Sequence, residues 1–225
     1  MPGSLYIVAT PIGNLEDLTF RALRILKEAA AIACEDTRQT LKLLNKYCFK
    51  KDLISYYQPK ENQKIPVILN LLKQGKDIAL VSDSGTPGIS DPGFRLIREA
   101  LKEGIRVVPI PGPTALAAAI SASGLPTHKF LFLGFPPPKK EAAKKMLSAL
   151  KNEEATFIFY LPSRKIESFV RIILEALGDR PIVIAREITK VYEEFLRERA
   201  SKLLSLAGEK NLKGEVTLLI QGAER

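Results

Sequence analysis

The sequence predicts an α/β fold in two parts: a parallel sheet with helices on both faces over residues 1–111, and a mixed sheet with helices over residues 112–225. Three observations predict it. Up to residue 110, short apolar runs alternate with segments of helical period, the pattern of strands joined by crossover helices. Pro111, Gly112 and Pro113 then stiffen the path and mark the strongest boundary in the chain. Beyond it, the runs at 181–186, 193–198 and 215–221 follow one another closely enough to pair antiparallel.

Taken in order, residues 5–9 (LYIVA) read as the first strand and residues 10–18 (TPIGNLEDL) as a turn-rich loop. A helix over 19–30 follows, with Phe20, Leu23 and Leu26 spaced to face inward. Residues 31–33 form a second strand that runs into Glu35, Asp36, Thr37 and Arg38, and a helix covers 37–47. Residues 53–55 give a third strand, and 61–75 a helix in which Pro66 is tolerated only near the start. Residues 77–81 (DIALV) are a buried strand by their unbroken apolar character. The loop at 82–93 (SDSGTPGISDPG) leads into a helix over 92–102, with Asp91 as N-cap and Pro92 in the first turn. Phe94, Ile97 and Leu101 are its apolar positions, and a strand at 106–110 completes the first sheet. In the second part a helix begins beside Thr114. Strands are expected at 130–134 and 156–160 besides the three above, and helices at 139–150, 163–177 and 200–208. The second of these carries Ile166, Phe169, Val170, Ile173, Leu174 and Leu177 on one stripe.

Composition narrows the function. No apolar run approaches membrane-spanning length, and the start MPGSLYIVAT enters a strand without a basic leader, so a cytoplasmic protein is expected. Cys34 and Cys48 suggest neither a metal pair nor a disulfide scaffold, and His128 is the single histidine, so no metal site is expected. Lys and Arg number 34 against 25 Asp and Glu, a formal charge of +9 that favours a polyanionic partner such as RNA. There is no GxxxxGK[ST], no GxGxxG after the first strand and no GxSxG. What remains suits a transferase whose cofactor carries the reactive group.

The loop at 82–93 is the most distinctive stretch. Gly85, Gly88, Gly93, Pro87 and Pro92 fix an irregular path beside a buried strand, as a ligand-binding loop requires. Three further loops, at 10–14, 35–38 and 111–115, leave strand ends on the same edge, where ligands of open parallel sheets bind.

LYIVATPIGNLEDLTFRAL, EDTR, LVSDSGTPGISDPG, PIPGPTALAAAISASGLP, FLFLGFPPPKK and GEVTLLIQG together resemble the ribosomal RNA small-subunit methyltransferase I family, of the tetrapyrrole methylase superfamily. The resemblance runs from Ser4 to Gly222. It implies a two-domain tetrapyrrole-methylase-like fold with S-adenosylmethionine in a cleft between the domains, and a homodimer. It also implies 2′-O-methylation of a cytidine ribose in small-subunit rRNA, either free or within the 30S subunit. Carried over by motif, the cofactor-binding residues are Pro11 and Ile12, Gly85, Thr86 and Ile89, Thr114 and Ala115, Tyr160 and Leu161, and Val216 and Thr217. Read as residues alone, Ile12, Ile89 and Ala115 are equally at home in a core, and Thr114 is equally a helix cap.

For the chemistry, Glu35 and Asp36 supply carboxylates that can accept or orient a ribose proton, and Arg38 can grip a phosphate. Asp36 and Gln39 also have the spacing of a capping box. Arg186, Glu187 and Lys190 form a second cluster expected to meet substrate, and Lys139 and Lys140, with Lys144 and Lys145, are placed to touch an RNA backbone or to face solvent. The chain departs from the family at ISYYQPKE (54–61) and FYLPSRK (159–165), where relatives carry histidines. Longer members also have a C-terminal extension, whereas this chain stops after 221–225, so any RNA grip from such a tail is expected elsewhere, including the dimer partner. The rival readings are a methyltransferase of a tetrapyrrole or other small molecule, and a non-catalytic RNA-binding ribosome-assembly factor. A nucleotide-binding oxidoreductase is the weakest.

Overall fold

Period-two alternation in five short strands builds the first of two units, Met1–Thr114, and the second is Ala115–Arg225. The structure, a computed structural model, describes residues 1–209 and 213–224; residue 225 of the closing stretch lies outside it. In the first unit β1 (Leu5–Val8), β2 (Ala31–Cys34), β3 (Asp52–Ser55), β4 (Ile78–Val81) and β5 (Val107–Ile110) form one sheet in the order β3-β2-β4-β1-β5. All its pairings are parallel. The connecting helices are α1 (Phe20–Glu28), α2 (Thr37–Lys46), α3 (Glu61–Lys73) and α4 (Phe94–Lys102).

Alternation decides which helix lies where. Leu5, Ile7, Ala31, Ala33, Ile78 and Leu80 point to one face and pack with Ile65, Ile68 and Leu72 of α3 and Leu96 and Ala100 of α4. Val8, Ile32, Cys34, Ala79, Val81 and Ile110 point to the other and meet Ala22, Ile25 and Leu26 of α1 and Leu43 and Leu44 of α2. Both faces are therefore covered, as a parallel sheet requires.

Four local expectations are corrected. Phe20 does not face inward: it is 94% exposed, because the buried stripe of α1 runs through Ala22, Ile25 and Leu26. Phe94 and Leu101 are exposed too, the face of α4 being set by Leu96 and Ala100, and the Phe94 ring receives the Arg98 guanidinium at 5.4 Å. Asp91 does not cap α4. The N-cap is Gly93 at φ 150°, where a Cβ would sit 3.2 Å from the Gly88 nitrogen, and an Asp–Pro entry cannot adopt that path. Pro66 lies inside α3 instead of in its first turn; a turn of 3-10 helix (Gln58–Lys60) precedes the helix, and burial of Ile65, Ile68 and Leu72 holds the segment helical around the missing N–H.

In the second unit β6 (Phe130–Phe132), β7 (Thr156–Pro162), β8 (Pro181–Arg186), β9 (Glu194–Arg199) and β10 (Glu215–Ile220) form a sheet in the order β6-β7-β10-β8-β9. β6 and β7 are parallel and the other pairs antiparallel, the mixed sheet expected. Phe157, Phe159, Ile182, Ile184, Leu218 and Ile220 point to the face covered by α6 (Lys140–Ala149), α7 (Ile166–Leu177) and α8 (Ala200–Glu209). The predicted stripe of α7 is buried there, with Leu174 partly so. The opposite face carries the alanine-rich α5 (Ala115–Ser123) against β8 and β10. Among the described residues no helix is long and apolar enough to cross a membrane.

Candidate functional site

Parallel register brings the C-terminal ends of β1, β2, β4 and β5 to one rim, and backbone bonds stitch their loops together. Thr10 and Gly85 exchange N–H···O bonds of 2.9 and 3.0 Å, an isolated antiparallel bridge between the first loop and the glycine-proline loop. The buried Thr10 hydroxyl donates to the Ser82 carbonyl at 3.1 Å. The Thr86 hydroxyl donates to the Pro113 carbonyl at 3.2 Å, tying the same loop to the turn after β5. Gly85 has φ +81°, and a Cβ on it would lie 3.3 Å from Ile12 Cγ2. The left-handed φ, more than the 3.3 Å approach, is what favours glycine where the two loops meet.

The sequence-predicted residues of this unit fall on that rim. Ile12 and Gly85 are buried, and Pro11, Thr86, Ile89 and Thr114 are half-buried. Glu35 and Asp36 follow β2, beside the loop after β4: the Asp36 N–H donates to Asp83 Oδ1 at 3.0 Å. That bond replaces the capping box. The Asp36 carboxylate caps α2 through the Arg38 N–H at 2.8 Å, but Gln39 takes Lys42 Nζ at 3.1 Å instead of reaching back. Arg38 folds onto Asp36 through Nε and Nη2 (3.0 and 2.7 Å), so its guanidinium is held by a carboxylate. This hydrogen bond from Arg38 lowers the Asp36 pKa to about 2.

Two further carboxylates complete the group. Asp83 and Asp91 raise the pKa of Glu35, after burial, which is the main cause. Asp91 is pushed up to about 6 by burial, against a lowering hydrogen bond from Ser82. The rim therefore holds an acid ionised at all ordinary pH, Asp36, beside one that titrates near neutrality, Asp91. Sequence reasoning missed Asp83 and Asp91 as members of this group. The available signal was two aspartates in a loop without a lysine or arginine to pair them. Among the described residues no three His, Cys, Asp or Glu side chains are grouped so as to hold a metal ion.

In the second unit Tyr160 accepts the Leu116 N–H at 3.2 Å, joining the end of β7 to the first turn of α5, where Ala115 sits half-buried. Its ring meets Phe132 and Phe135 edge-on, with centroids 4.9 and 5.9 Å apart. Leu161 and Val216 turn into the core, which leaves only their backbone for a ligand, and Thr217 is buried between Tyr160 and Ala185. Arg186 pairs with Glu194 at 2.7 Å, and Lys190 bridges Glu187 at 3.1 Å and Glu215 at 2.9 Å. Lys140 and Lys144 share Glu175, whereas Lys139 is exposed with no ion pair among the described residues.

The family model for tetrapyrrole (corrin/porphyrin) methylases matches residues 4–204. The chain belongs to this family. Within the family it is 47% identical to the ribosomal RNA small subunit methyltransferase I of Thermotoga maritima, over 99% of this chain and all of the relative. It is 48% identical to the protein of the same name from Halalkalibacterium halodurans, over 98% of this chain and 76% of that one. These identities place it in the small subunit methyltransferase I branch of the family. Among solved structures, uroporphyrin-III C-methyl transferase from Thermus thermophilus, complexed with S-adenyl homocysteine, shares the fold. Its TM-score is 0.66 at 20% identity, with 97% of each chain covered.

Proposed function

We propose that the protein is an S-adenosylmethionine-dependent methyltransferase that methylates the 2′ oxygen of a cytidine in small-subunit rRNA. The observation that carries this is the 47% identity, end to end, with a small subunit methyltransferase I. The cytoplasm is the compartment where such a substrate is met. A homodimer is the proposed assembly, and the 30S subunit the proposed form of the substrate.

The rim residues fit a donor of this kind. Gly85 holds a left-handed φ of +81° and spends its own N–H and C=O on Thr10, which fixes the path of the glycine-proline loop against the first loop. Pro11, Ile12, Gly85, Thr86, Ile89 and Thr114 would hold the donor in the first unit, with Ala115, Tyr160, Leu161, Val216 and Thr217 contributing from the second. When bound, S-adenosylmethionine supplies a methyl group made electrophilic by a positively charged sulfur. The protein's work is alignment, an effect that reaches about 7–11 kcal/mol in well-oriented reactions. A ribose hydroxyl is a weak nucleophile, and Asp91, ionised above about pH 6, is suited to take its proton. Burial, with a smaller push from the Asp83 carboxylate, sets Asp91 near 6, and the grouped carboxylates would keep the rim anionic toward the donor's sulfonium.

The test is transfer of labelled methyl to small ribosomal subunits, to free rRNA and to a precorrin-type tetrapyrrole, followed by digestion to nucleosides. Label in 2′-O-methylcytidine is expected. Label in a base, or only in the tetrapyrrole, overturns the reading.

A further inference from the structure

The end of the second sheet at which β7 stops and β10 starts has an organisation the rim does not use. Register places Pro162 of β7 opposite Glu215 of β10, Val216 opposite Arg186 of β8, and Arg186 opposite Glu194 of β9. The turns that leave these strand ends therefore share one edge. The β8–β9 turn is held under strain: Glu187 and Thr189 have φ of 50° and 66°, and Thr189 is β-branched, a residue type that rarely adopts such a conformation. Its carboxylates and two of its cations are spent on holding that shape. Glu187 accepts from Lys190 and from the Glu215 N–H, Glu194 binds Arg186, and Glu193 accepts the Thr189 N–H at 2.6 Å. What the strain produces is display: Val191 is 93% exposed and Tyr192 74% exposed at the tip. At the same end of the sheet, by register, are cations that form no ion pair among the described residues, Arg164 and Lys165 after β7 and Lys213 before β10.

A presented aromatic flanked by unneutralised cations is the arrangement that binds single-stranded nucleic acid, bases on the ring and phosphates on the charges. We infer that this sheet edge is a docking surface for an unpaired RNA segment, with Tyr192 stacking a base and Arg164, Lys165 and Lys213 following its backbone. This rests on the rRNA reading and adds to it: the residues expected from sequence to touch substrate, Arg186, Glu187 and Lys190, are positioning residues for the turn that does.

The chain has no tryptophan, so Tyr192→Trp introduces a single fluorophore at the tip. Titration of this variant with a single-stranded oligoribonucleotide is expected to quench its emission. Replacing Arg164, Lys165 and Lys213 by Glu is expected to abolish the quench, and each single replacement by Ala lowers the slope of log affinity against log salt by about 0.7. In the methyl-transfer assay Tyr192→Ala is expected to raise KM for subunits about tenfold. Affinity for the donor and the melting temperature stay unchanged, and Tyr192→Phe restores the KM. Emission insensitive to RNA overturns the inference, as does emission that changes only with protein concentration, which would make the tip a contact between copies. Wild-type activity on rRNA with unaltered Tyr192→Ala kinetics sinks this surface while leaving the rRNA reading intact; no wild-type activity on rRNA sinks that reading itself.

Discussion

Asp91 is the residue proposed as the base. Its ordinary carboxyl value of 3.8 is raised to about 6 by burial, so between those values the folded protein keeps a proton that the unfolded chain has lost. Stability therefore falls as pH rises through that window and the deficit persists above it. Asp91→Asn removes the cost and is expected to raise stability at pH 7.5 by about 2 kcal/mol, the full shift being discounted because the side chain is only partly buried, read by denaturant titration. The same change is expected to lower kcat at least a hundredfold or so and to flatten the limb of the pH–rate profile near 6. A mutant that keeps both its rate and that limb excludes Asp91 as the base. From sequence, Asp91–Pro92 has the look of a helix entry, and only the packing of the β2 end beside the β4 end puts this side chain near Glu35. Glu35 and Asp36 were legible because they directly follow an apolar strand. Asp83 was not, because its role depends on an N–H from a residue 47 positions away.

At the scale of elements, the strands were readable because burial on both faces demands continuous apolar runs, and α7 because its stripe is wide. The orientations of α1 and α4 were misread since a large aromatic at either start, Phe20 or Phe94, suggests a core position while the sheet accepts only the neighbouring small and aliphatic residues. The junction before α3 carries a buried polar pair: the Tyr56 hydroxyl donates to Glu61 Oε1 at 2.9 Å, with Arg95 3.7 Å from the same carboxylate. Tyr56→Phe leaves a buried acceptor without its donor and is expected to cost about 1–3 kcal/mol in chemical denaturation. At the end of the first loop the Thr19 hydroxyl accepts the Ala22 N–H at 3.1 Å and caps α1. Thr19→Ala is expected to cost about 1 kcal/mol without changing methyl transfer. An equal loss of transfer would show that α1 helps to shape the rim.

For the whole molecule, the excess of cations over carboxylates, +9, is a property of association and not of fold. Rising salt is expected to weaken binding of ribosomal subunits steeply while leaving donor affinity nearly unchanged, because the proposed donor site is built from loops and backbone and not from cations facing phosphates. The local signals of a division are the proline-flanked glycine after β5 and the change in strand spacing beyond it; by packing, the chain divides after Thr114. The stitching of the rim was not legible, because Thr10 to Gly85 and Thr86 to Pro113 are long-range bonds with no local signature. The proposed function sets the donor on this stitched rim, and calorimetric titration of S-adenosylmethionine into wild-type protein and Gly85→Ala tests it most directly. The wild type is expected to bind, and the alanine, forced to φ +81° and set against Ile12, is expected to lose tenfold or so in affinity while still melting cooperatively. Binding equally tight in both proteins, or absent from the wild type, would contradict a donor site on the rim.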